Sequence, residues 1–148
     1  MGRLFKDIIL LKIITMNHIP WVGNAMTRCV NLKSRRDKRT WMRKQLKRRK
    51  INCKFHVVKK HRNPKRGCLE SHLTCIREAL DKGVDYLLML EDDAKFTRTL
   101  NNFPKPPEKW DMLYLGGTIR ELFDSEGNND DWQRMRCWTT HAYILNLK

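Results

Sequence analysis

No apolar run in the chain approaches the roughly 18 residues that a membrane-spanning helix needs, so no such span is expected. Internal repeats, collagen-like triplets, mucin-like tracts and Gln/Asn-rich stretches are also absent. There is no Cys-x-x-Cys pair. The five cysteines (Cys29, Cys53, Cys68, Cys75 and Cys137) are odd in number and irregularly spaced, which argues against a secreted disulfide scaffold. Among Cys53, His56, His61, Cys68 and His72, only Cys53 and His56 form a close pair with zinc-ligand spacing, so a structural zinc site is the weaker reading. The apolar stretch from Ile8 to Met16 is interrupted by Lys12 and Thr15, and no small-residue cleavage site follows it. Gly2 lacks a myristoylation context because Lys6 stands where Ser or Thr is required. A cytoplasmic location is therefore the default expectation.

What is present is enough for one domain. The chain has 148 residues and is 41% hydrophobic, and a chain of this length can bury roughly 70% of its unfolded surface. Its formal net charge of +15 is unevenly placed. Residues 28–66 hold 18 Lys and Arg against one acid, Asp37, while the rest is near neutral. Such a segment attracts a polyanion, an anionic surface or a phosphorylated ligand, or it is simply a solvated helix face.

Residues 1–27 read as an N-terminal extension, in which 8–15 fit a strand or an apolar helix equally, and 28–148 as one domain. Thr27–Leu32 favours a strand. Ser34 is expected to cap a helix running to about Lys50, with Asp37 completing a capping box. Cys53, Phe55 and Val57 alternate with polar neighbours as in a half-buried strand. Residues 59–67 read as a loop broken by Pro64 and Gly67, and Ser71 or Thr74 as the start of a second helix. That helix is expected to bury Leu73, Ile76 and Leu80 and to end at Gly83. Val84–Leu90 has the continuous apolar character of a central strand. Strands are also expected at Asp111–Leu115 and Ala142–Leu147, and the alternation of strands and helices predicts an α/β layered domain.

The sharpest chemical feature is Glu91-Asp92-Asp93 at the end of that apolar strand. Three adjacent carboxylates repel one another, and a shared divalent cation such as Mg²⁺ or Mn²⁺ relieves the repulsion. The carboxyl ends of strands in an α/β sheet are also where ligands bind. Ser71 and His72, placed at a helix start, would meet an anion at free N–H groups; the bland alternative is ordinary capping. Gly116-Gly117 permits a close backbone approach to a ligand, or merely a turn.

The order NLKSRRDKR (31–39), GCLESH (67–72), LLMLEDD (87–93), WDMLYLGG (110–117) and TTHAYIL (139–145) resembles glycosyltransferase family 25. This family includes bacterial lipopolysaccharide galactosyltransferases, procollagen galactosyltransferases and members in large DNA viruses. The resemblance spans about residues 28–148. It implies a glycosyltransferase-A fold, Rossmann-like and nucleotide-sugar-binding, and the transfer of a sugar, commonly galactose from UDP-galactose, to a hydroxyl of a glycan or hydroxylysine. Carried over, Glu91 and Asp93 flank Mn²⁺ or Mg²⁺. Asn31, Arg35, Ser71, His72 and Asp92 fall on the donor side, and Gly116, Gly117, Thr140 and His141 on the acceptor or sugar side. Lys38 stands where the family usually has Arg, a loss of bidentate phosphate recognition if it meets the donor.

Family members continue beyond the TTHAYIL segment, so the resemblance also implies a C-terminally short domain with an incomplete acceptor half. The general base is unassigned, and Asp111, Glu121 and Asp124 are the acids available for it. Two other readings compete. One is a nucleotide-sugar-binding remnant without catalysis. The other is a nucleic-acid-binding protein working through residues 35–50, which is disfavoured because no zinc-finger, helix-turn-helix or RNP pattern is present.

Overall fold

A computed structural model describes residues 23–96, 105–123, 132–137, 139 and 141–148. The expectations for residues 8–15, Asp124 and Thr140 lie outside the described residues. Within them, two helices flank a five-stranded mixed sheet, and a short hairpin stands apart. The elements are β1 (Ala25–Leu32), α1 (Arg36–Arg48), β2 (Lys54–Val58), α2 (Pro64–Asp81), β3 (Tyr86–Glu91), β4 (Met112–Gly116), β5 (Ile119–Leu122), β6 (Met135–Cys137) and β7 (Ala142–Asn146). The chain is therefore α/β, as expected.

The sheet order is β2-β1-β3-β7-β4. β1 pairs in parallel with both β2 and β3, and β7 runs antiparallel between β3 and β4. β3 is the central strand, and its composition explains why. Leu88 and Leu90 pack toward α1 with Cys29, Met42, Leu46 and Ile144, whereas Leu87 and Met89 pack toward α2 with Met26, Cys75, Ala79 and Tyr143. A strand covered on both faces has no polar face to keep, hence the unbroken apolar run. Burying each such side chain contributes about 1.5–3 kcal/mol.

The two crossovers run in opposite directions across the sheet. One leads through α1 to β2; the next returns through α2, past β1, to β3. The crevice where the order reverses lies between the carboxyl ends of β1 and β3, the place where open α/β sheets bind ligands.

Three local expectations are corrected. Ser34 does not cap α1; the N-cap is Arg35, with no side-chain cap bond, so the capping box with Asp37 does not form. α2 begins at Pro64 rather than at Ser71 or Thr74. Asn63 is its cap, accepting from the Arg66 N–H, and Pro64 occupies the first helical position, where its missing donor costs nothing. The expected buried stripe of α2 holds only at Ile76, which is partly buried against the core. Leu73 and Leu80 are exposed, and Ser71, His72, Cys75 and Ala79 face the sheet instead. Gly83 does end the helix, at φ +61°, where a side chain would be strained.

Candidate functional site

β1, β2 and β3 end on the same side of the sheet, and the segments leaving them enclose a cavity of about 280 Å³. All five residues expected on the donor side line it: Asn31 from β1, Arg35 before α1, Ser71 and His72 from α2, and Asp92 after β3. Glu91 lines it as well. The convergence is tertiary, since these positions span 62 residues of chain.

Asn31 is the buried hinge of this wall, 1% exposed. Its side-chain amide donates to Asp92 Oδ2 at 2.6 Å and to the Arg35 carbonyl at 3.1 Å, and its Oδ1 accepts from Arg39 Nη1 at 2.7 Å. Asp92 is thereby fixed to β1. Glu91 and Asp93 turn the other way, toward His141 at the start of β7. His141 Nδ1 is 3.1 Å from Asp93 Oδ1 and 3.5 Å from Glu91 Oε2. One ligand-capable atom each from Glu91, Asp93 and His141 lie within 4.8 Å of one another. Burial, reinforced by the charge of Asp93, pushes the Glu91 carboxyl up to about 7.

Ser71 and His72 are not at a helix N-terminus, so the free N–H groups expected there are absent; they lie two turns inside α2. Ser71 Oγ donates to the Gly67 carbonyl at 2.6 Å. His72 Nδ1 lies 2.6 Å from the Tyr143 hydroxyl, and the two rings stack. Its Nε2 lies 3.6 Å from Glu91 Oε1. Burial holds this imidazole below the usual histidine range, so it is neutral near pH 7. The actual N-terminus of α2 still borders the cavity through Pro64 and Gly67, with its dipole's positive end.

The family model for glycosyltransferase family 25, described as an LPS biosynthesis protein, matches residues 55–148. The chain belongs to glycosyltransferase family 25. The matched span holds α2, Glu91-Asp92-Asp93 and His141 but starts after β1, so Asn31 and Arg35 enter this family 25 site through the fold.

Other expected site residues fall differently. Gly116 is buried at the end of β4, paired with Ala142. Gly117 lies so close to the Thr139 carbonyl that a Cβ would collide with it, so its lack of a side chain serves the chain's own packing. Asp111 sits at the opposite end of β4 from Gly116, level with Asn146, and Glu121 pairs with Arg136 in the β5–β6 hairpin. Neither is in the carboxylate cluster. Lys38 lies over the Trp41 ring and does not line the cavity. Among the described residues, Cys53 and His56 belong to no metal-ligating group.

Sequence reasoning missed Lys59 and Lys60, which line the cavity from the segment after β2, and Tyr143, the partner of His72. The lysines follow the carboxyl end of a parallel strand, a legible position that was lost within one long basic stretch.

Proposed function

We propose that this family 25 chain is a metal-dependent glycosyltransferase that takes a UDP-sugar, galactose first among the candidates, and transfers the sugar to a hydroxyl of a glycan or hydroxylysine acceptor. The observation that carries the reading is the meeting of Asn31, Arg35, His72, Glu91 and Asp92 around one cavity at the β1/β3 crevice. The placement is also consistent with a glycosyltransferase-A type of domain, in which the sheet mouth holds the nucleotide.

The acids fit a divalent cation. Glu91 is largely desolvated beside a second carboxylate, an arrangement that a cation relieves, and two carboxylates with one imidazole suit Mn²⁺. Glu91 and Asp93 would hold it, with His141 beside them. A bound ion there supplies charge neutralisation for a diphosphate.

The protein's own groups account for the rest. Arg35, Lys59 and Lys60 bring positive charge to the cavity wall, favouring an anionic donor and stabilising the diphosphate as negative charge develops on it. Asp92, held by Asn31, is oriented to accept from donor hydroxyls. In the transfer, the bond from the anomeric carbon to the diphosphate oxygen breaks and one to the acceptor oxygen forms. The proton of the acceptor hydroxyl is released to solvent, and the nucleoside diphosphate departs as the anion.

Turnover of UDP-galactose, UDP-glucose and UDP-N-acetylglucosamine with Mn²⁺ tests this, with Asp93→Asn as control. The proposal expects turnover of one of them, lost in the variant. Mn²⁺-dependent UDP binding without turnover would favour a donor-site remnant. Neither binding nor turnover would sink both, and salt-sensitive binding to random oligonucleotides would then support the nucleic-acid reading.

A further inference from the structure

α2 carries Cys68 and His72 four residues apart, a spacing that places both on one face of a helix. Glu91 meets them from the end of β3. One ligand-capable atom of each lies within 4.8 Å of the other two, and all three residues line the wall of the cavity. The independent observation is His72 itself. It is only 8% exposed, and its Nε2 has no hydrogen-bond partner among the described residues, lying 3.6 Å from Glu91 Oε1. Buried polar atoms are ordinarily satisfied, so an orphan aimed at a carboxylate and near a thiol calls for a ligand.

The chemistry narrows what that ligand is. In the tautomer whose Nδ1–H donates to the Tyr143 hydroxyl, the Nε2 of His72 keeps its lone pair, the arrangement of metal-bound histidines whose second nitrogen is anchored. Thiolate, imidazole and carboxylate together are a zinc donor set, and three protein ligands leave a fourth position for water or a substrate oxygen. Ligands around one tetrahedral zinc stand roughly 3.5 Å apart, and the three atoms here already lie within 4.8 Å of one another, with Cys68 on an exposed part of α2. The Glu91–Asp93–His141 group differs in having two carboxylates and no sulfur, which suits a harder ion.

We propose that Cys68, His72 and Glu91 bind one Zn²⁺ in the cavity wall, tying α2 to the carboxyl end of β3. Binding displaces the thiol proton of Cys68 to solvent. The site stands on its own geometry and does not depend on the nucleotide-sugar reading.

The test uses the full, reduced, metal-free chain. Co²⁺ is added first, followed by the sulfur-to-metal charge-transfer absorption, and Zn²⁺ is then used to displace it against a chelator. The expected result is a sulfur band saturating at one equivalent, with melting temperature raised by Zn²⁺. Cys68→Ser, at an exposed position, should lose the band and weaken Zn²⁺ binding by about tenfold or more. Cys137→Ser, Asp93→Asn and His141→Ala should keep the band. The proposal is overturned by a parent with no sulfur band, by a band that survives Cys68→Ser, or by Zn²⁺ binding lost in Asp93→Asn but intact in Cys68→Ser. Glu91 belongs to both ligand groups, so Mn²⁺-dependent UDP binding is measured on the zinc-free chain, where it reports on the other reading.

Discussion

Asn31 donates its side-chain amide to Asp92 at 2.6 Å, joining the carboxyl ends of β1 and β3 across the crevice of the sheet. Because successive residues leaving a strand alternate in direction, Asp92 turns to β1 while Glu91 and Asp93 turn to His141. One buried amide thus holds Asp92 on β1 while Asp93 faces His141, and Glu91 stands between them within reach of both His72 and His141.

Asn31→Ala removes the acceptor for Arg39 and the donor to Asp92. It should lower stability by about 1–3 kcal/mol, read as a lower urea midpoint. Asn31→Asp keeps the shape but sets a carboxylate against Asp92, so it should weaken UDP binding more than the alanine does. A parent-like aspartate variant would show that the amide is not the link.

Glu91 predicts a pH dependence. Its folded value, about 7, lies above the ordinary 4.5, so the folded state binds the proton more tightly than the unfolded chain. The charged form therefore costs metal-free stability as pH rises from 4.5 to 7, and that cost persists above. Glu91→Gln should be more stable than the parent at about pH 8, and the gap should vanish below about pH 4.5. Chemical denaturation with chelator present across that range checks it; an equal gap at both ends refutes the cause.

Further along α2, Arg28 forms a two-pronged pair with Glu78, at 2.6 and 2.8 Å, and Lys82 adds a bond at 2.8 Å. These cations hold the Glu78 carboxyl far below its ordinary 4.5. The pair's stabilisation is complete above pH 4.5 and is lost as pH falls toward the depressed value. Glu78→Gln leaves Arg28, 7% exposed at its side chain, under-satisfied and should cost about 1–3 kcal/mol at neutral pH. Its stability should fall less steeply in acid than the parent's.

Gly67 lies inside α2, where alanine would ordinarily gain about 1 kcal/mol. A Cβ there would stand 2.5 Å from the Cβ of His61, too close without moving that residue. Overpacking of this kind costs about 1–3 kcal/mol, so Gly67→Ala should lower the melting temperature despite its better propensity. Since His61 lines the cavity, UDP binding should weaken with it. A raised melting temperature would mean that the loop yields freely.

The elements were legible where one local signal dominated. β3 announced itself by apolar residues on both faces, and the acids after it followed from the strand's end. α2 was misjudged at both start and face. Asn63-Pro64 is a helix opening, but beside Gly67 it read as a break; and Leu73 and Leu80 fit a helical stripe better than the polar Ser71 and His72 that the sheet covers. A polar side chain is buried when it has a partner: Ser71 finds the Gly67 carbonyl one turn back in α2, whereas the partner of His72, Tyr143, lies 71 residues away in β7, outside any periodicity.

By itself the sequence determined the α/β alternation, the central strand, the acids at its end and the concentration of positive charge before Gly67, because each depends on residues close together in the chain. Only the tertiary structure decided that Asn31 meets Asp92, that His141 joins Glu91 and Asp93, and that Cys68 and His72 face Glu91. Those meetings depend on strand order and on a crossover that returns past β1, and the packing of two helices on opposite faces sets both.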